Sequence, residues 1–213
     1  LNYPWRRSFS KIIKRCGWLL FWGVLIYSVQ DNKINIQFSN VLVELSIATF
    51  ISFLLINRSA AVQLFVSLGL LLITELMFRF TGIKNFDQPF VDQHNFGNYV
   101  DLIVLGHVNG NYGTTYNVIP SSVSTIWGLM VGQLLLSSRE NAIKLKYMIV
   151  CAACAIAAGF ILDLTNITPM LKWIASSSFI FATGGFSIAA LALCYLGGDI
   201  KQHTAFLSFF TII

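Results

Sequence analysis

Charge is scarce in this sequence. Asp, Glu, Lys and Arg together supply 11% of its 213 residues, against about a quarter in a soluble domain. So few ions cannot cover the surface of a water-soluble fold, and the complementary excess is large, with 56% of residues hydrophobic and a mean hydropathy of +0.71. Cysteine is also rare. The four present, Cys16, Cys151, Cys154 and Cys194, lie in or beside apolar runs, where a thiol behaves as a small hydrophobe. Neither a disulfide framework nor a zinc site is expected, and no metal. Cys151 and Cys154 form a CxxC, but "VCAACAIAAG" reads as a helix wall of small residues and not as a redox motif. A Walker loop, a GxSxG elbow and an HExxH motif are all missing. Soluble-enzyme signatures are therefore silent.

What is present comes in blocks. A hydrocarbon core of roughly 30 Å takes about 20 helical residues to cross. Apolar runs at 16–30, 41–57, 60–80, 121–138, 147–163 and 173–196 predict six transmembrane helices. A seventh run, 204–213, extends for about half a bilayer at roughly 1.5 Å per residue. The expected fold is an all-α, polytopic bundle, a single transmembrane domain over 1–213 with a truncated seventh span. The chain opens on Leu1 without a signal-peptide pattern, and it is read as a fragment of a longer protein that lacks the early spans.

The basic residues orient the bundle. Placing the N-terminus in the cytoplasm puts Arg6, Arg7, Lys11, Lys14, Arg15, Arg58, Arg139, Lys144, Lys146 and Lys201 inside and leaves Lys33, Arg79, Lys84 and Lys172 outside, 10 against 4 of the 14. The net charge of +5 then needs no nucleic acid, because short basic loops face anionic lipid. The bilayer is the first partner expected, and a second copy of the chain is the other protein partner considered.

On that topology the longest loop, 81–120, is outside and carries "HNFGNYVDLIVLGHVNGNYGTTYNVIPSS". Its amides and carboxylates, Asn98, Asp101 and Asn117 among them, alternate with Phe86, Phe90, Phe96, Tyr99, Tyr112 and Tyr116. Fixed donors and acceptors beside aromatic faces suit a sugar. "YVDLIVLGHV" is too short to span, and Gly106 and Gly110 permit a bend. Ionisable residues inside spans are costly and face a cavity or a partner. Glu44 lies one turn into the second span; Glu75 and Arg79 close the third as an acid-first pair four residues apart. Ser124, Gly128 and Gly132 form a small-residue face on which a neighbouring helix can approach closely.

The run "NFGNYVDLIVLGHVNGNY…YNVIPSSVSTIWGLMVGQLLLS", with "ITPMLKWIASSSFIFATGGFSIAALALCYLGGD" after it, resembles the heparan-alpha-glucosaminide N-acetyltransferase family and its bacterial relatives of unassigned substrate. The landmarks are Tyr99, Asp101 and Gly106, then Pro120, Gly128 and Gly132, then Pro169, Lys172 and Trp173, the last group with one residue fewer than the family pattern. "WRRSFSKIIKRCGWLLFWGVLI" is similar to the basic helix start that precedes this region. At Glu44, in "NVLVELSIA", the sequence departs from relatives, which commonly carry Gln-Arg or a Gln there.

The resemblance implies a multi-pass acyltransferase of the bacterial cytoplasmic membrane. It takes an acetyl group from cytosolic acetyl-CoA, its co-substrate, to a glycan or amino-sugar acceptor on the outer side. It also implies a catalytic histidine in an early span, upstream of Leu1. Among the residues present, His107 is the candidate for an acid/base role, and Asp101 is expected to orient the apolar run. Asn98, Asn117, Glu75, Arg79 and Glu44 are expected around the acceptor, and Arg139, Lys144 and Lys146 near the anionic CoA. The rival reading is a permease in which Glu44 and Glu75 are coupling carboxylates; no inverted repeat with broken helices is visible to favour it.

Overall fold

The structure is a computed structural model that describes residues 5–30, 40–108 and 113–202. Every regular element among these is helical: α1 Trp5–Gln30, α2 Val41–Leu55, α3 Ala60–Phe80, α4 Phe96–Leu105, α5 Val118–Leu135, α6 Asn141–Leu164 and α7 Ser177–Tyr195. A 3-10 turn, Thr115–Asn117, leads into α5, and a π turn, Leu196–Ile200, ends α7. Three helix starts are closed by side chains. Asn40, Ser59 and Asn95 accept from the backbone N–H groups of Val43, Val62 and Asn98. Gly106 ends α4 in the left-handed conformation at φ 75°, which glycine adopts without a Cβ penalty.

Five segments are long and apolar enough to cross a bilayer: Ser8–Val29, Ala60–Phe80, Thr115–Leu135, Asn141–Leu164 and Ser177–Ile200. Their amphipathy is inverted. On α3 the buried residues are Gln63, Ser67, Leu71, Thr74 and Phe78, three of them polar, whereas Phe65 is 79% and Phe80 76% exposed. In water such an arrangement would leave a large apolar face uncovered. In lipid it is the stable one, because an inward polar group finds a partner and an outward one does not. The chain is an integral, multi-pass membrane protein.

Several expected boundaries shift. The expected span 41–57 is α2, whose 15 residues reach about 22 Å at roughly 1.5 Å each, short of a full crossing. The helix expected at 121–138 begins at Val118 and holds Pro120 in its first turn, where a missing N–H costs nothing. The one expected at 173–196 begins only at Ser177, because a turn precedes it in which Ala175 has φ 49°. The loop 81–120 is not irregular throughout, since α4 forms in it. The truncated span at 204–213 lies outside the described residues.

α5 is the hub. It packs against α2, α3 and α7, while α1 covers α2 and α6 runs along α7. Two contacts tie α5 to α3 and α7: Trp127 Nε1 donates to Ser67 Oγ at 3.0 Å, and the Trp127 ring occupies the space that a Cβ on Gly184 would need. α6 meets α7 most closely at Gly159, where an added Cβ would lie 2.6 Å from the Ala182 backbone nitrogen.

Candidate functional site

The bundle has two unlike ends. At the turn end, the short connections 56–59 and 136–140 are closed by long polar side chains reaching helix-end carbonyls. Gln63 Nε2 donates to Leu55 O at 2.9 Å, Gln133 Nε2 to Ile56 O at 2.7 Å and Lys144 Nζ to Leu135 O at 2.8 Å. Leu55 O also accepts from the Arg58 N–H at 2.9 Å, whereas the donors to Ile56 and Leu135 satisfy acceptors that the helix ends leave open. Of the residues expected on the donor side, Lys144 is therefore buried and engaged as a cap. Lys146 is exposed, and the exposed Arg139 guanidinium lies over the Tyr147 ring, 5.2 Å from its centroid.

The loop end is built on α4. Asp101 is fully buried, and its Oδ1 accepts from the Thr115 backbone N–H at 2.7 Å. Asn117 accepts from Thr114 Oγ1 at 2.9 Å and donates through Nδ2 to the carbonyl of Trp173 at 2.8 Å. That second bond joins segments 56 residues apart. Asn98, a turn before Asp101 on α4, is also buried, and its Oδ1 has no hydrogen-bond partner. Gly97 lets α4 sit on the chain that follows it, since a Cβ there would be 2.5 Å from Thr114 Oγ1.

Beneath α4 the aromatic residues pack on one another. Phe78, Phe96 and Tyr116 meet edge to face with centroids 6.1, 5.9 and 5.1 Å apart, and Tyr99 lies between Phe86 and Phe96. The platform expected for a sugar is thus largely spent in fixing the loop. Tyr116 also lies beside Thr74 on α3. Tyr112 lies outside the described residues.

Glu75 and Arg79 form the expected pair, Arg79 Nε donating to Glu75 Oε2 at 3.1 Å. A third partner was not legible in the sequence. Thr168, on the connection between α6 and α7, donates to Glu75 Oε1 at 3.0 Å and accepts from Arg79 Nη2 at 3.4 Å. The guanidinium also lies 5.0 Å from the Phe90 ring centroid. Glu44 is on a different wall, half-buried and beside Ser121 at the start of α5. His107 is exposed beyond the end of α4, with Nδ1 3.1 Å from Leu105 O; His94 is exposed too, with Nδ1 3.2 Å from Asn85 O.

The structure therefore brings Asp101, Asn117 and the Lys172–Trp173 turn together, places Glu75 and Arg79 beside the same turn through Thr168, and leaves Glu44 apart on α2. Thr115, Thr168 and Ser121 complete these contacts and carried no signal of their own, because a threonine or serine in or beside a loop reads as a turn residue until its partner is known. Among known proteins, no family model matches the chain and no curated protein is significantly similar to it. The acyltransferase resemblance rests on its motif residues alone.

Proposed function

We propose that this chain forms the acceptor-binding part of a membrane-embedded acyltransferase that moves an acetyl or acyl group from cytosolic acyl-CoA to a sugar or glycan across the bilayer. The observation that carries the reading is the bond from Asn117 Nδ2 to Trp173 O. It joins two of the three motif segments of the resemblance, and the third, holding Asp101, is tied to the same 3-10 turn through Thr115. Asp101 and Trp173, from two of those segments, thus meet at one polar platform beside the start of the other. In this reading α2 counts as a sixth crossing, because it runs beside α5 from Glu44 at Ser121 to Ile56 at Gln133. The turn end faces the cytoplasm of a bacterial cell.

Acyl transfer requires a base or nucleophilic histidine and donors for the developing oxyanion. By the resemblance the histidine belongs to a span outside this sequence, so the residues here position and do not react. Asp101 fixes α4; Glu75, Arg79 and Thr168 form a polar wall beside it. At the opposite end Lys146 presents positive charge toward the CoA phosphates, while Lys144 holds the turn that precedes it.

The test supplies labelled acetyl-CoA to the turn-end side of sealed vesicles holding the full-length protein and an amino sugar to the loop-end side. Label covalently bound to the sugar supports the proposal. The half-buried Glu44 on the opposite wall is the one feature that favours a permease. Sugar counterflow abolished by Glu44→Gln, with no label transferred, would establish that reading instead.

A further inference from the structure

A second feature lies away from the polar platform. It is a cleft of about 560 Å³ between α3 and α6, floored by α5 and α7, and it exists because α3 and α6 do not pack along each other. Leu64 and Leu68 form one wall, Cys151 and Cys154 the other, and Trp127 and Phe181 the floor. The indole N–H is taken by Ser67, so the floor is apolar despite the tryptophan. Arg139 is the one charged residue in the lining. It stands at the turn end over Tyr147, and no carboxylate among the described residues pairs with it.

Three properties define what fits. From Tyr147 to Ala158 the α6 wall rises about 16 Å at roughly 1.5 Å per residue, half of a core of roughly 30 Å and so the depth of one leaflet. Leu64 is 43%, Leu68 42% and Tyr147 50% exposed, so the cleft opens sideways to the bilayer along its length. Its charged end is cationic and unpaired. We propose that the cleft holds an acyl chain of an anionic phospholipid from the leaflet on the Arg139 side, with the lipid phosphate on the Arg139 guanidinium. A soluble acyl-CoA shares this chemistry but must arrive from water, whereas phospholipid already surrounds the open side. The inference does not depend on the acyltransferase reading, and it gives Arg139 to lipid, leaving Lys146 for any CoA phosphate.

The experiment places the full-length protein in phosphatidylcholine nanodiscs containing phosphatidylglycerol with a photoreactive diazirine on its acyl chain, and maps the crosslinks. They are expected on residues 64–68 and 151–158 in preference to other lipid-facing positions such as Leu193 and Trp18. Arg139→Gln should lower phosphatidylglycerol labelling there about 5-fold, what one basic residue contributes toward anionic lipid, and leave labelling by an equivalent phosphatidylcholine probe unchanged. Ala158→Phe, which fills the cleft, should lower both. Labelling spread evenly around the bundle would overturn the proposal, as would a phosphatidylglycerol preference that survives Arg139→Gln. Displacement of the probe by long-chain acyl-CoA would also overturn it, assigning the cleft to a donor. If Arg139→Gln fails to fold, the wild-type map and its preference between the two probes decide the question.

Discussion

Asn117 joins two segments with one amide: it accepts from Thr114 and donates to the carbonyl of Trp173. Removing it leaves that carbonyl without its donor in a buried setting, which costs about 1–3 kcal/mol. Asn117→Ala should therefore lower thermal stability in detergent by that amount, while Asn57→Ala, on an exposed turn, should change little; equal effects would show that the bond contributes nothing. Asp101→Asn keeps the shape but weakens a charge-assisted bond to the Thr115 N–H. If α4 must be held for the acceptor to bind, transfer should fall about 10-fold or more, equivalent to about 1.4 kcal/mol, with CoA affinity unchanged. His107→Gln should do less, since that ring is exposed at the end of α4. The sequence singled out Asn98, Asp101 and Asn117 because polar side chains in so apolar a chain need a reason. It could not say which reason. A ligand and a buried backbone group make the same demand of an amide, and only the fold shows that these three are turned inward.

At the scale of helices, periodicity revealed faces but not what covers them. The Ser124, Gly128 and Gly132 face was expected to admit a close neighbour, yet a Cβ at Gly128 or Gly132 meets nothing within 4 Å. Close approach falls instead on Gly159, Gly184 and Gly185, where α6, α5 and α7 meet. Gly159→Ala would press a methyl group against the Ala182 backbone nitrogen and the Ser178 carbonyl, 2.6 and 2.7 Å away. Neither is a side chain that can swing aside, so the cost should be about 1–3 kcal/mol, as for other overpacked cores. Gly132→Ala should be neutral or slightly stabilising, because alanine is the better helix former. Thermal unfolding of the two variants in one detergent separates them, and a Gly132→Ala loss as large as that of Gly159→Ala would mean that the helix pairing is wrong. The late start of α7 was hidden for a different reason: the hydropathy of "WIASSS" continues into the helix, and nothing in composition reports that Ala175 takes a positive φ.

Over the whole molecule the charges divide by end. The basic excess, Arg58, Arg139, Lys144 and Lys146 against Glu140, belongs to the turn end, and Glu75, Asp87, Asp92, Asp101 and Asp163 outnumber Arg79, Lys84 and Lys172 at the loop end. That division was legible in the sequence, because loop charge follows directly from where apolar runs stop. The number of crossings was less so: 41–57 gave a helix of 15 residues, too short by itself and made compatible with the bundle by its place beside α5. The central claim is that a polar platform for an acceptor and a basic end for a donor face opposite sides of one membrane. Single cysteines at Ser138 and at Gln93, both exposed, in a background freed of the four native cysteines, test it most directly when a membrane-impermeant maleimide is added to sealed vesicles of known orientation. Labelling of Ser138 from the cytoplasmic side alone and of Gln93 from the opposite side alone is the predicted result; labelling of both from one side would contradict the account.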